Sequence, residues 1–195
     1  MNEISILFFD RGISRVKIEE VICAKFNLNV FDFSTEFRSQ ILNEKSELTK
    51  EIKKYLDSGE IIPMFVLEKF LIEKFSELKP KKTLLLGFPK NKQQYELLEK
   101  IFNELKIELK NIWYVEQTNP EKFKAEYFSQ EEQKIWLKKY GEEITEKWES
   151  DYLKNKEAIQ NIKKTSKSIK WKIIKVELEN EKDENFIIEE ISDNA

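Results

Sequence analysis

Runs of apolar residues alternate along the chain with stretches of helical periodicity. Ile4 to Phe9 reads as a strand covered on both faces, and Gly12 punctuates the turn after it. Val16 to Phe26 carries Val16, Val21, Ile22 and Phe26 at helical spacing, and Leu28 to Phe33 reads as a second strand. Ser34 or Thr35 is the expected cap of the next helix, which holds Arg38 near its start. Ser46 with Thr49 opens another that runs to about Ser58, with Gly59 as its C-cap. Pro63 begins a helix with an apolar stripe at Phe65, Val66, Leu67, Phe70, Leu71 and Phe75. Beyond the break at Lys79-Pro80-Lys81-Lys82, Thr83 to Leu86 is a third strand ending at Gly87. Residues 90 to 106 form an amphipathic helix, and Lys110 to Glu116 a fourth strand.

From about Pro120 to Lys164 the pattern is helical and strongly charged, with Gly141 as the break. Trp136, Leu137, Tyr140, Ile144 and Trp148 form an apolar stripe there, suited to the sheet or to a protein partner. Ile169 to Leu178 is a fifth strand, and Phe186 to Ile191 a last short helix or tail. Short apolar strands alternating with helices predict an α/β protein whose five-stranded, mainly parallel sheet has helices on both faces. Ligands in such sheets bind at the carboxyl ends of the strands, which directs attention to the turns after Phe9, Phe33, Leu86 and Glu116. With no internal repeat and no Gly/Ser linker, residues 1–195 are expected to form one domain.

Composition narrows the chemistry. Charged residues make up 36% of the chain, yet the formal net charge is only −3, so no basic surface marks nucleic acid as a partner. There is no His, which removes the commonest general base and the commonest transition-metal ligand, and no metal site is assigned. The single Cys23 excludes an internal disulfide, and no apolar run is long enough for a bilayer. The N-terminal apolar run lacks a basic flank and reads as a core strand, so a cytoplasmic location is the expectation. Arginine occurs only at positions 11, 15 and 38. Lysines elsewhere supply charge without the bidentate fork that grips a phosphate.

Several segments, in order, carry a likeness to a known family. They are the strand and helix from Ile6-Leu7 through Lys25-Phe26, Arg38 in the helix after the second strand, SEL at 46–48, DSGEIIP at 57–63, and LLLGFPK at 84–90 followed by Gln94. Together they resemble the adenylate kinases and related nucleoside monophosphate kinases, most specifically from 46 to 94. The resemblance implies a P-loop-kinase-like three-layer sandwich. It makes 34–77 a helical monophosphate-binding subregion, and 118–164 helical sequence that replaces the family's lid.

The resemblance lays the family's phosphate loop on Phe9 to Lys17, where the remnant is Gly12, Ser14, Arg15 and Lys17. Gly12 alone is a retained glycine; Phe9, Ser14 and Val16 stand where others belong, and side chains there obstruct the backbone's approach to phosphate. Arg15 takes the place of the gripping lysine and is the one candidate for a catalytic role. Leu86 occupies the position of a metal-ordering Asp, Thr35 that of another Asp, and residues 117–150 contain no Arg to serve as a lid. On the monophosphate side Arg38, Leu56, Ile62, Gly87, Lys90 and Gln94 match positions that hold AMP. Phe33 replaces a small Thr beside the base, a ring able to fill the pocket.

An adenylate-kinase-like protein follows that has lost most of its kinase chemistry while keeping weak monophosphate binding, or a scaffold role. The alternative is an active nucleoside monophosphate kinase using ATP and Mg²⁺, in which Arg15 replaces the loop lysine and Lys138 or Lys139 the lid arginines. Phosphoryl transfer rests on positioned positive charge and metal, so the joint loss of these parts favours the first reading.

Overall fold

The structure, a computed structural model, describes residues 2–11, 13, 15–43, 46–58, 60–78 and 82–176. Among them, β1 (Glu3–Phe9), β2 (Asn29–Asp32), β3 (Lys82–Leu86), β4 (Glu108–Gln117) and β5 (Trp171–Val176) form one parallel sheet in the order β2-β3-β1-β4-β5. Around it are α1 (Val16–Phe26), α2 (Phe33–Asn43), α3 (Glu47–Ser58), α4 (Met64–Glu77), α5 (Lys92–Leu105), α6 (Pro120–Ser129), α7 (Glu131–Tyr140) and α8 (Glu142–Thr165). The chain divides into two compact units, Met1–Ile6 with Leu28–Asn111, and Leu7–Asn27 with the chain from Ile112 on.

In the first unit α4 buries Val66, Leu67, Phe70, Leu71 and Phe75, and α5 buries Tyr95, Leu98, Ile101 and Phe102. α4 and α5 pack against each other, and the Phe75 ring links them to β2, its centroid 5.4 Å from Phe31 and 5.5 Å from Phe102; Leu84 to Leu86 of β3 are buried as well. Phe65, expected in the stripe, is 50% exposed, because the buried face is set by the 66, 67, 70, 71 and 75 spacing; the Lys69 ammonium lies over its ring instead.

The cap of α2 also differs from expectation. Asp32, the last residue of β2, accepts the Thr35 backbone N–H at 2.9 Å, so the helix begins at Phe33 and Ser34 and Thr35 lie in its first turn. Ser46 caps α3 as expected, accepting from the Thr49 N–H at 3.1 Å. Asn91 caps α5, accepting from Gln94 N–H at 2.9 Å.

In the second unit β4 buries Ile112 to Val115, α1 contributes Ile18 and Ile22, and α8 contributes Ile159 and Ile162. β4 and β5 pair from Ile112 opposite Trp171 to Gln117 opposite Val176. The charged C-terminal stretch is broken twice, at Gly141 and also at Gln130, whose extended backbone separates α6 from α7. Of the expected stripe only Trp148 is buried, stacked on Tyr152 and packed near Phe123 and Phe128. Trp136 and Tyr140, stacked on each other, are exposed by 47% and 41%. No helix among the described residues is long and apolar enough to cross a membrane. The expected cap Gly59, the end of the fifth strand at Leu178 and the segment Phe186 to Ile191 lie outside the described residues.

Candidate functional site

In the first unit the register of β2 and β3 sets Asp32 beside Leu86, so the two strands end level and the segments leaving them emerge side by side. One is the start of α2, the other the loop Gly87 to Asn91. Gly87 has φ +73°, and a Cβ on it would stand 3.3 Å from Ser34 Oγ, so glycine lets the loop turn close against α2. Helical spacing then puts Ser34, Phe37 and Arg38 on one face of α2.

That face, Leu56, Glu60, Ile61 and Ile62, and the loop after β3 border a groove of about 390 Å³. Arg38, Leu56, Ile62, Lys90 and Gln94 all line it; Gly87 stands behind it, setting the approach of loop to helix. Phe33 does not plug the space. Its ring is drawn into a cluster, 4.8 Å from Phe88, 5.3 Å from Phe37 and edge-on to Phe70, and the groove stays open beside it. Glu60 and Phe37 also line the groove and were not singled out from the sequence; Glu60 lies within DSGEIIP, so its segment was the available signal.

The charges in the groove are unevenly matched. Arg38 and Lys90 are exposed, and neither has an ion-pair partner among the described residues. Gln94 is fixed from two directions: its N–H is taken by Asn91, and its Oε1 accepts the Lys90 backbone N–H at 2.7 Å. This reciprocal arrangement is close to a capping box, and it locks the carboxamide at the mouth of α5.

The turn after β1, in the second unit, is built differently. Asp10 is 1% exposed, with Tyr114 donating its hydroxyl to Oδ1 at 2.5 Å and the Gln117 N–H donating to Oδ2 at 2.9 Å. Burial raises the Asp10 pKa, opposed by these two hydrogen bonds and by the charge of Lys156. Lys156 itself pairs with Glu116 at 3.3 Å. Arg11 is held by Asp151 at 3.0 Å, and Arg15 is an exposed residue at the start of α1 whose side chain does not cap the helix. Gly12, Ser14 and the side chain of Lys17 lie outside the described residues. Lys138 and Lys139 lie exposed on α7, with the Lys139 ammonium over the rings of Trp136 and Tyr140.

A second cavity, of about 340 Å³, lies in this unit between α6, α7 and α8, with Tyr127, Trp136, Tyr140 and Trp148 among its walls. The buried indole N–H of Trp148 has no acceptor among the described residues.

Comparison with curated proteins finds adenylate kinases. That of Borreliella burgdorferi is 33% identical over 97 residues, 49% of this chain and 46% of the relative. That of Listeria monocytogenes is 34% identical over 98 residues, 50% and 45%, and that of Staphylococcus aureus 40% identical over 85 residues, 43% and 39%. The chain thus spans less than half the length of the curated relatives it matches. No protein-family model matches it.

Proposed function

We propose that this chain, a divergent adenylate-kinase-like protein, binds a nucleoside monophosphate in the Arg38–Lys90–Gln94 groove and does not carry out phosphoryl transfer at a kinase's rate. The observation that carries the first half is the pair of cations, Arg38 and Lys90, lining one groove with no ion-pair partner among the described residues. A guanidinium is the side chain best shaped for a phosphate, and the Phe33–Phe37 wall offers an apolar surface for a base. Arg38 would hold the phosphate, Lys90 would add charge, and Gln94 would meet the edge of the base.

For the second half, the residues present do not fit a Mg²⁺–ATP pair. Leu86, where the resemblance places a metal-ordering carboxylate, is 1% exposed and part of the core. The turn that would receive phosphate instead buries the carboxylate of Asp10, which consumes the Gln117 N–H and opposes an incoming anion.

Titration calorimetry with AMP and GMP tests the monophosphate half. Binding of either is expected, weakened at least about fivefold by Arg38→Ala, the scale of one lost charge-assisted hydrogen bond. Unchanged affinity in that variant would show that the phosphate lies elsewhere.

A further inference from the structure

Near the start of β5, in the second unit, three lysines converge on one pair of aromatic rings. The geometry points to Lys172 as the chain's preferred acceptor of an acyl group from an acyl phosphate.

The setting of the amine is the first ground. Trp113 of β4 stands opposite Lys172, so both side chains leave the same face of the sheet, where the Trp113 ring lies 5.3 Å from that of Phe26. The Lys172 ammonium sits over both rings, 5.7 Å from the Phe26 centroid and 5.9 Å from that of Trp113, and the residue is half-buried. Two further ammonium groups are close. Lys25, in the last turn of α1, lies 5.9 Å from the same Phe26 centroid. Lys170, whose carbonyl accepts the Ile112 N–H, shares the face two residues back along the extended chain. None of the three has an ion-pair partner among the described residues.

The second ground is what this setting does to the amine. Burial lowers the Lys172 pKa, and the charges of Lys170 and Lys25 push it the same way. The rings oppose them, but both centroids are near the ~6 Å limit within which a ring face attracts a cation. The net effect is a larger share of free amine, which is the nucleophile. Lys25 and Lys170 are exposed and also draw an anionic reagent towards it. In the transfer, the Nζ lone pair attacks the carbonyl carbon and forms an N–C bond. The C–O bond to phosphorus's oxygen breaks, its electron pair leaves with inorganic phosphate, and the surplus N–H proton passes to water. The product is a neutral amide.

Acetyl phosphate is the probe. The full chain is treated briefly at mildly alkaline pH, and occupancy at each lysine is read by peptide mass spectrometry. Lys172 is expected to acetylate at least about threefold faster than Lys175, an exposed lysine on the same strand. Lys25→Gln with Lys170→Gln, checked for folding by far-ultraviolet circular dichroism, keeps both rings and should bring the two rates to within about twofold. N-acetoxysuccinimide, an uncharged acetyl donor, should show a smaller preference for Lys172 than acetyl phosphate does. Lys175 reacting as fast as Lys172, or faster, overturns the proposal, because burial would then shield the amine more than it activates it. A preference undiminished in the double variant overturns it as well, since the lysine cluster is its ground. Equal preference with the two donors overturns the assignment of an anionic reagent.

Discussion

Tyr114 donates its hydroxyl hydrogen to the buried carboxylate of Asp10 at 2.5 Å, which puts an anion of the protein's own at the end of β1. Burial is the largest influence on Asp10 and raises its pKa, against the Tyr114 and Gln117 hydrogen bonds and the Lys156 charge, and with the help of Glu116. A raised pKa means that the folded state holds the proton more tightly than the unfolded chain. Ionised Asp10 is therefore a cost at neutral pH, and acidification relieves it. Relative to Asp10→Asn, the wild type should gain stability as pH falls from neutral through the raised value, with the gain complete below the ordinary aspartate value of 3.8. Urea midpoints of both proteins at several pH values test this. Parallel pH profiles would mean that Asp10 titrates as it does in the unfolded chain.

Gly87→Ala tests how α2 and the loop after β3 are held together. The φ of +73° is the larger obstacle, since an L-residue there costs about 1–2 kcal/mol. The contact with Ser34 Oγ, at 3.3 Å, is with a rotatable hydroxyl and can give way. Gly87→Ala should lower the unfolding free energy by about 1–2 kcal/mol, and adding Ser34→Ala should recover little of it. Full recovery in the double variant would show that the steric contact, and not the backbone, dominates.

The parts legible in the sequence were those whose cause is local. The strands read as short apolar runs, Ser46 and Thr49 marked the start of α3, and Glu60 to Ile62 of the 57–63 segment and Phe88, Lys90 and Gln94 of the 84–94 segment line the groove with Arg38. Asp32 was hidden because a residue that closes a strand can also cap the following helix, and only the backbone shows which cap is used. Gln130 breaks the helical run without Gly or Pro, so no residue type announced it. The burial of Asp10 depends on Tyr114 and Gln117, 104 and 107 residues further along, and no pattern within the loop could have disclosed it.

Arg38 and Lys90 are not interchangeable in the proposed role. A guanidinium grips a phosphate with two parallel hydrogen bonds, and an ammonium acts as a point charge. Arg38→Lys, which preserves charge, should still weaken monophosphate binding about fivefold or more, while Lys90→Arg should tighten it severalfold. Both affinities should fall with added salt, because the side chains are exposed and screened. Equal affinity of Arg38→Lys and wild type would reduce the groove's contribution to non-specific charge.

The sharpest test of the proposed loss of phosphoryl transfer is turnover. A coupled assay for ADP formation from ATP, Mg²⁺ and either AMP or GMP should give no rate above background. Transfer of a phosphoryl group needs charge placed on the transferring oxygens, and mutational losses of single such groups reach about 10³-fold or more. Leu86 is apolar and buried where the resemblance calls for a carboxylate, and Asp10 sets a buried carboxylate in the turn that would receive the anion. Arg15, at the N-cap of α1, is the residue that would stand in for the loop lysine, so Arg15→Ala is the control that gives the result meaning. Background rates in both proteins fit a chain that binds a monophosphate without transferring to it. A measurable rate that Arg15→Ala abolishes would instead make Arg15 a replacement for the loop lysine and the protein a working kinase.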